Sequence, residues 1–345
     1  MPKNKQKEVK MLEEKNNPKV DILMATYNTK IEYLKQQLDS LLNQTYKNIQ
    51  IIISDDNSTN KEVIEILNEY KKKDKRIVLY LQEENLGYLK NFEFLLTKSG
   101  AEYIAFSDHD DIWYENKIEK CVNVIKEKKV DLVYCDARQI DENGKVLKES
   151  YLKYKNMPII NGKNNILAFS RHIAIGCSEV FTKKIKKQML PFTKSMMAHD
   201  WINMYLASKQ NGVACIEEPL FDYRLHGNNE FGGRSLKQNL SKWKKENGIS
   251  YKAYKKYRNE RVIKTAYLDG AMMCKEYRDK FGLEPEEKEE ETIEYYKSLL
   301  SIKILNTEFE EYEKLLDFEN SGKRKLKEKM IFHFPIVSYL VYLIK

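Results

Sequence analysis

The chain has few cysteines, and their spacing argues against a disulfide framework or a zinc site. Five cysteines occur among 345 residues, and no two of them form a C-x-x-C pair. Disulfide-rich domains and structural zinc sites depend on closely spaced cysteines. We therefore expect free thiols and a reducing, cytoplasmic environment.

Long apolar runs are also missing. No segment has the roughly 20 apolar residues that a membrane-crossing helix needs. The N-terminus, rich in Lys and Glu, lacks the apolar core of a signal peptide. The nearest approach is Met330–Ile344, which follows a basic cluster at 323–329. It suits either a peripheral anchor at the inner face of the cell membrane or a terminal helix docked on the protein's own core.

Glycine is absent from the first predicted strand–helix turn, Ala25–Lys30, and no P-loop sequence occurs anywhere in the chain. Dinucleotide-binding folds need glycines in that turn so that the backbone can approach a pyrophosphate. These absences argue against a Rossmann dehydrogenase and against a P-loop protein.

The formal net charge of +8 indicates an anionic partner, either nucleic acid or an anionic membrane surface. Much of the excess lies near the chain ends, and no platform of interleaved aromatic and basic residues accompanies it. We therefore expect no nucleic-acid partner. Salt-sensitive binding to anionic vesicles, without binding to DNA, would separate the two interpretations.

Short apolar segments alternate with segments of helical periodicity between Lys19 and Ala137. The predicted strands are Val20–Thr26, Ile49–Ser54, Ile77–Leu81, Tyr103–Ser107 and Leu132–Cys135. The predicted helices are Ile31–Leu42, Glu62–Tyr70, Leu89–Leu96 and Lys117–Ile125. This alternation predicts an α/β fold in which helices flank a mostly parallel central sheet.

The remaining segments are less regular. We expect a charged leader at 1–18, an α/β domain at 19–234 and a helical region at 235–345. A hairpin turn is predicted at 141–145, and a helix is predicted to begin at His199 or Asp200.

The segment Ile104–Trp113 carries the strongest chemical signal. An apolar strand ends in Asp108, His109, Asp110 and Asp111, and an Ile-Trp pair follows. Three close carboxylates repel one another unless a cation lies among them, and a hard divalent cation suits oxygen ligands. A solvated turn with Asp111 as a helix N-cap is the alternative, and it accounts for one aspartate of the three.

Two other predicted strands also end in polar residues, at 27–28 and 55–58. In open α/β sheets, ligands bind beyond the carboxyl ends of the strands. We therefore expect the three clusters to meet at one edge of the sheet and to form one site.

Together these features resemble the family 2 glycosyltransferases with the GT-A fold. The motifs that carry the resemblance occur in order at 22–28, 44–45, 51–58, 85–87, 108–113, 199–201 and 223–229. The resemblance covers about residues 19–234, and it is strongest to bacterial rhamnosyltransferases of cell-wall and capsular polysaccharide synthesis. The C-terminal third lies outside it, and three roles stay open for that region: acceptor selection, formation of a homodimer and membrane docking.

The resemblance implies a pocket for the nucleobase of a nucleotide-sugar donor. Ala25 and Tyr27 would line it, Tyr27 by stacking and Ala25 through its backbone. Asp56 would accept the imide N–H of a uracil or thymine. Asp56 also suits a polar turn before the next helix, and the two roles are compatible.

The diphosphate and ribose would be held by a second set of residues. Asp108 would bind the ribose or reach a metal through water, and Asn85 and Gly87 would shape a loop near the diphosphate. Arg224 would be an anion partner. A glycine-containing segment at 232–234 would form a loop that closes over the donor.

The resemblance implies Mg²⁺ or Mn²⁺ as cofactor and a carboxylate as base. Asp110 would be the direct metal ligand, and His226 would complete the metal shell or contact the phosphates, although a lone loop histidine is as often structural. Asp200 would remove the proton of the acceptor hydroxyl, which inverts the anomeric centre. The alternative role of Asp200 is to cap the helix that begins there.

The leading interpretation is an inverting, metal-dependent glycosyltransferase that uses a pyrimidine-nucleotide sugar, with dTDP-rhamnose as the expected donor. It would extend a saccharide acceptor, lipid-linked at the cytoplasmic membrane face, in bacterial capsule or cell-surface polysaccharide synthesis. One alternative is the same fold with a UDP-hexose or UDP-N-acetylhexosamine donor. Another is a non-catalytic scaffold that binds nucleotide sugars or saccharides, against which Asp108, Asp110 and Asp200 argue.

Overall fold

A computed structural model describes residues 17–164, 166–226 and 267–300, with isolated positions between 245 and 264. In these residues nine strands form one sheet. They are β1 (Val20–Thr26), β2 (Ile49–Asp55), β3 (Ile77–Leu81), β4 (Tyr103–Ser107), β5 (Ile112–Trp113), β6 (Leu132–Ile140), β7 (Val146–Lys148), β8 (Glu179–Thr182) and β9 (Val213–Arg224).

Helices cover both faces of the sheet. The first eight are α1 (Ile31–Leu42), α2 (Lys61–Lys73), α3 (Tyr88–Lys98), α4 (Lys117–Lys128), α5 (Tyr151–Lys155), α6 (Ile166–Ser170), α7 (Lys183–Met189) and α8 (His199–Ser208). Two more, α9 (Asp269–Lys280) and α10 (Glu287–Leu300), follow in the C-terminal region. None of the described helices is long and apolar enough to cross a membrane.

The first half of the sheet is parallel, as predicted. Its strands lie in the order β3-β2-β1-β4, and each adjacent pair is parallel. Strands β1, β3 and β4 have the predicted bounds, and β2 is one residue longer. Their runs of buried β-branched and aromatic residues need cover on both faces, which the crossover helices supply.

The second half of the sheet is mixed, so the prediction of a mostly parallel sheet holds for only part of it. Strand β8 is antiparallel to both β4 and β6, and β9 is parallel to β6 but antiparallel to β5. Strand β6 also runs five residues beyond the predicted end at Cys135. Polar side chains obscured that extension. Arg138, for example, is charged but forms two hydrogen bonds of 2.7 and 2.8 Å with Asp222 on β9.

Two apolar cores lie on opposite faces of the sheet. Helices α1, α2 and α4 contribute buried residues such as Leu34, Leu67 and Val122 to one core. Helices α3, α8, α9 and α10 contribute to the other, where Trp201 and Tyr277 are buried. The predicted hairpin turn at 141–145 and the predicted helix start at His199 are both confirmed.

Helices α9 and α10 pack on this second core. Buried Glu289 of α10 accepts hydrogen bonds from Arg278 (2.7 Å) and from the Tyr205 hydroxyl of α8 (3.1 Å). The predicted helical character of the C-terminal region is thus present in these two elements. Residues 1–16, the closing loop predicted at 232–234 and the apolar run 330–344 lie outside the described residues.

Candidate active site

The carboxyl ends of β1, β2 and β4 meet at one sheet edge. Thr26 lies opposite Asp55, and Met24 lies opposite Ser107, so the polar residues that follow each strand are neighbours. The Thr26 hydroxyl donates to Asp55 at 2.8 Å, and the backbone N–H of Asp56 donates to the Thr26 carbonyl at 2.8 Å. The predicted convergence of the three polar clusters is confirmed.

The turn after β2 is closed by Asp55, which is fully buried. Its carboxylate also accepts the backbone N–H and the hydroxyl of Ser58, at 2.8 and 2.7 Å. Asn28 ties the neighbouring turn to it, because its side-chain oxygen accepts the N–H of Thr59 at 2.9 Å. Between these fixed turns, Tyr27 is 46% exposed. An exposed ring on a rigid turn is suited to stacking on a planar ligand.

Three predicted donor-binding residues form one hydrogen-bonded unit. The two carboxylate oxygens of Asp56 accept the backbone N–H groups of Leu86 and Gly87, at 2.8 and 2.9 Å. The Asn85 side chain donates to the Asp56 carbonyl at 3.1 Å. Asp56 therefore holds the 85–87 loop, and a carboxylate still has lone pairs for a further donor.

The Asp110 carboxylate lies 2.7 Å from Nε2 of His226, so the two predicted metal ligands are in contact. Burial would raise the pKa of Asp110. The charge of His109, with the hydrogen bond and charge of His226, outweighs burial and holds that pKa below its ordinary value. Asp110 is therefore a carboxylate at neutral pH and is ready to bind a cation.

Arg224 holds the backbone of Asp110 through a hydrogen bond and is itself buried. Its Nε donates to the Asp110 carbonyl at 2.8 Å, and its Nη2 donates to the side chain of Gln36 at 2.6 Å. The guanidinium also stacks 4.3 Å from the ring centre of Tyr33, and the residue is 2% exposed. The structure engages Arg224 with protein acceptors, so its predicted role as an anion partner of the donor has no direct support in this geometry.

Asp108 and Asp111 lie beside Cys177, a residue that no sequence motif assigns to the site. One ligand atom each from Asp108, Asp111 and Cys177 lies within 4.8 Å of the others in the described part of the chain. Burial, then the charge of Asp110, raises the pKa of Asp108 to about 7, and the same two causes raise the pKa of Asp111 well above its ordinary value.

A buried lysine lies beneath this group. Lys117 is fully buried, donates to the Cys177 carbonyl and lies 3.2 Å from the ring centre of Trp113. Burial lowers its pKa. Its positive charge lowers the pKa of Asp108 only in part. A cation from solution would relieve the remaining repulsion between the carboxylates.

Asp200 is the second residue of α8, which begins at His199 and has Ala198 at its N-cap position. One carboxylate oxygen accepts the backbone N–H of Trp201 at 2.9 Å, and the other lies 2.9 Å from Nε2 of His172. Burial alone would raise the pKa of Asp200. The charge and hydrogen bond of His172, with the charge of His199, lower it to about 2. Asp200 is therefore charged at neutral pH, as a proton acceptor must be.

The turn Gly176–Ser178 lies between Asp200 and the sheet edge. A Cβ on Gly176 would lie 3.0 Å from Nε2 of His199 and 3.5 Å from Oδ2 of Asp200. The next residue, Cys177, is the one grouped with Asp108 and Asp111. The absence of a side chain at Gly176 thus lets the start of α8 approach the acidic group.

Asp200 and the acidic group belong to one electrostatic site. The charge of Asp200 is among the causes that raise the pKa of Asp108. The rings of Phe106, on β4, and His199 are 4.5 Å apart, which joins the two elements. His172 and Cys177 carry no sequence signal for this site, because neither lies in a local motif and only the fold places them here.

Sequence comparison identifies the family. A model described as glycosyl transferase family 2 matches residues 21–190. An uncharacterised glycosyltransferase of Methanocaldococcus jannaschii is 34% identical over 235 residues, covering 67% of this chain and 79% of the relative. The chain belongs to glycosyl transferase family 2. The prediction of a glycosyltransferase is confirmed. Some other relatives are longer: the match covers 29% of an uncharacterised glycosyltransferase from Rickettsia felis, at 31% identity over 183 residues.

Two solved structures share the fold. TarS from S. aureus in complex with UDP-GlcNAc has a TM-score of 0.51 and 15% identity, with 94% of this chain and 89% of that chain covered. The mannosyltransferase PcManGT from Pyrobaculum calidifontis, in complex with GDP-Man and Mn²⁺, has a TM-score of 0.51 and 12% identity, with 95% and 87% covered. These neighbours and the mixed sheet confirm the predicted α/β GT-A fold.

The acidic edge fits a divalent cation on its own chemistry. Burial and mutual repulsion favour the protonated forms of Asp108 and Asp111, so a cation that binds there would displace protons. Carboxylate oxygens suit Mg²⁺ or Mn²⁺, whereas the His226 imidazole and the Cys177 thiol are ligands that softer ions prefer. A cation would relieve the repulsion between these carboxylates, which supports the predicted metal site. Asp111 and Cys177 are further candidate ligands there.

Proposed function

We propose that the protein is an inverting, metal-dependent glycosyltransferase that uses a pyrimidine-nucleotide sugar. One observation carries the proposal: a buried acidic group at the sheet edge lies within electrostatic reach of Asp200, a second carboxylate that is charged at neutral pH. Transfer with inversion needs these two parts, one to receive the leaving diphosphate and one to receive the acceptor's proton.

Each residue has a part in the proposed reaction. Asp110 and His226 would hold Mg²⁺ or Mn²⁺, with Asp108 beside them. When bound, the cation neutralises the charge that develops on the departing nucleoside diphosphate. Asp200 accepts the proton of the acceptor hydroxyl as that oxygen bonds to the anomeric carbon and the bond to the diphosphate breaks. The Trp201 N–H fixes one Asp200 oxygen and so sets the orientation of the other.

The donor base is proposed to bind at Tyr27 and Asp56, with Ala25 beneath it. Exposure of the Tyr27 ring and the position of Asp56 beside the 85–87 loop support this placement. A carboxylate that accepts an imide N–H selects uracil or thymine, and we propose dTDP-rhamnose as donor. A UDP-hexose or UDP-N-acetylhexosamine is the alternative. The fold leaves the choice open, since one neighbour holds UDP-GlcNAc and another GDP-Man.

We also propose a saccharide acceptor, carried on a lipid at the inner face of the cell membrane during surface polysaccharide synthesis. The support is the basic cluster at 323–329 followed by the apolar run at 330–344. Binding to vesicles of anionic lipid that weakens with salt would favour this location. Equal binding to neutral vesicles, or none to either, would argue for docking of the run on the protein itself.

The proposed function is tested with a donor panel. Hydrolysis and binding of UDP-, dTDP- and GDP-sugars are measured with and without Mg²⁺ or Mn²⁺, for the wild type and Asp110→Ala. We expect metal-dependent turnover of one pyrimidine donor, reduced at least about 100-fold in the variant because a direct ligand is lost. Glu65→Ala, which removes an exposed carboxylate on α2, is the matched control and is expected to keep full activity.

Three other outcomes have distinct meanings. Turnover of a UDP-sugar alone would select the alternative donor. Turnover that needs no metal and survives Asp110→Ala would contradict the metal-dependent mechanism. Absence of binding to every nucleotide sugar would overturn the proposed donor class, whatever the acceptor.

A further inference from the structure

His172 lies between the proposed base and solvent. Its Nε2 is 2.9 Å from Oδ2 of Asp200, and its side chain is 45% exposed whereas that of Asp200 is 12% exposed. The ring stacks on Trp201, with 6.1 Å between ring centres and 24° between the planes. The imidazole is thus held on one face by an indole and at one nitrogen by the carboxylate.

The other oxygen of Asp200 is already used. It accepts the N–H of Trp201 at the first turn of α8, and this hydrogen bond restrains one side of the carboxylate. The contact with His172 restrains the other oxygen. A carboxylate held at both oxygens keeps one rotamer, and reaction rates fall steeply when a reacting group is misplaced.

We propose that His172 is a positioning residue that orients the Asp200 carboxylate and sets its basicity through the charge of the imidazole. The inference rests on the proposed function, since it concerns the base of that reaction. It adds a residue from a different segment of the chain, between α6 and the Gly176–Ser178 turn.

The electrostatics give the direction of the effect. Burial would lower the pKa of His172, but the charge and hydrogen bond of Asp200 outweigh it and raise that pKa above its ordinary value of 6.5. Below that pKa, an imidazolium faces Asp200 and weakens it as a base. Above it, neutral His172 still donates Nε2–H to the carboxylate but no longer withdraws its charge. Asp200 is then oriented and more basic.

Other titratable groups also interact with the His172–Asp200 pair. His199, on the same helix as Asp200, interacts with both His172 and Asp200. Glu179 on β8 and Asp108 at the sheet edge both interact with Asp200. The pKa values of Glu179 and Asp108 are set by burial and by Asp200 and other neighbours, without a contribution from His172. Burial lowers the pKa of His199 and the charge of His172 lowers it further, so the imidazole signal of His199 is followed in each variant as well.

The first experiment measures kcat and the donor KM from pH 5.5 to 9 for the wild type, His172→Gln and His172→Ala. Gln keeps an N–H donor without a titrating charge, whereas Ala removes both. We expect the ratio of kcat of the wild type to that of His172→Gln to rise about tenfold with pH across neutrality. We expect His172→Ala to lose about 10- to 100-fold in kcat at all pH values, with donor KM changed less than about twofold. Glu65→Gln is the assay control.

The second experiment does not depend on activity. The imidazole signals are titrated by NMR in the wild type and in Asp200→Asn, with His172→Gln to assign the signal. We expect the pKa of His172 to be above 6.5 in the wild type and to fall when Asp200 is made neutral. Asp200→Asn should also abolish transfer, which tests the proposed base separately.

Defined results would overturn the proposal. If the ratio of kcat of the wild type to that of His172→Gln is independent of pH, His172 has only a structural role. If His172→Ala has the kcat of the wild type, His172 does not position Asp200 at all. A His172 pKa that is unchanged in Asp200→Asn would show that the pair does not form in solution. If no donor is turned over, the proposed function fails first, and the NMR result alone still decides whether the pair exists.

Discussion

At the scale of single residues, the contacts of Arg224 distinguish two roles that a sequence motif cannot: binding of the donor's phosphates and support of the protein backbone. An arginine beside a conspicuous histidine and acidic motif suggests a contact with the donor's phosphates. In the structure its nitrogens donate to Gln36 and to the carbonyls of Asp110 and Asp141. The side chain is buried, and its planar fork matches acceptors in several directions. Arg224 is therefore placed to stabilise the backbone at Asp110.

This difference gives a testable prediction for Arg224→Lys. Lysine keeps the positive charge but cannot reach these acceptors together, so we expect a loss of about 1.5–3 kcal/mol in the free energy of unfolding. Urea denaturation measures the loss. The comparison variant is Arg76→Lys, whose arginine side chain is 25% exposed, pairs with Asp74 and donates to the Leu42 carbonyl. Because Arg76 is less buried than Arg224, we expect a smaller loss for Arg76→Lys. Unchanged stability with much weaker donor binding would instead restore the phosphate-contact role.

The site residues that the sequence predicted share a local signature. Asp108 and Asp110 follow a buried strand, and Asp200 lies in the first turn of a helix, so spacing and periodicity identify them. His172 and Cys177 have no such signature. His172 reaches Asp200 from a different segment, and Cys177 reaches Asp108 because β8 lies beside β4. Contacts of this kind depend on tertiary packing, which the local pattern does not contain.

At the scale of elements, predictability follows the burial pattern. Strands β1, β3 and β4 are short apolar runs between turns, and their bounds were predicted correctly. Strands β8 and β9 contain charged residues such as Glu179, Glu217 and Glu218, which obscured the alternation. Glu179 is nonetheless fully buried, with a hydrogen bond of 2.7 Å from Asn203. A tertiary contact thus permits a strand residue that the local pattern argues against.

The packing of α9 against α8 depends on one glycine. A Cβ on Gly270 would lie 2.0 Å from the Trp201 ring, well inside van der Waals contact. The indole cannot easily move, because its N–H donates to the Ala168 carbonyl at 2.9 Å. The C-terminal helices therefore contact the residue that follows the proposed base.

We predict that Gly270→Ala lowers the free energy of unfolding by about 1–3 kcal/mol, because the added methyl group overpacks the Trp201 site. Chemical denaturation measures the loss, and Trp fluorescence reports the shift of the indole. Gly100→Ala is the matched control, since a Cβ there meets nothing within 4 Å. Equal stability of the two variants would show that α9 adjusts without cost.

At the scale of the whole molecule, buried acids make folding sensitive to pH. Burial, followed by the charge of Asp200, raises the pKa of Glu179 well above 4.5, although the hydrogen bond from Asn203 acts in the opposite direction. In the unfolded chain this residue loses its proton near pH 4.5, whereas the folded protein retains it. Folding then takes up a proton. The contribution of Glu179 to stability is complete below pH 4.5 and is lost as pH rises toward the folded pKa.

We predict that Glu179→Gln flattens this decline. Glutamine is neutral at every pH and keeps an oxygen that can accept from Asn203. Its stability relative to the wild type should rise with pH above about 4.5, by at most about 1.4 kcal/mol per pH unit. Urea denaturation at pH 5, 7 and 8.5 measures it. A stability difference that stays constant with pH would mean that Glu179 is ionised in the folded state.

The contact between Trp201 and α9 has a consequence for the order of events during synthesis. The sheet and α8 leave the ribosome before α9 does, because α9 lies later in the chain. Until α9 emerges, the nascent chain has its sheet edge but no Gly270 against the indole. A ribosome that stalls late would release a polypeptide with the donor-binding elements present and the helix bearing Asp200 uncovered. Chaperones that bind unfinished chains would therefore meet the exposed apolar surface of this polypeptide at the helix bearing Asp200.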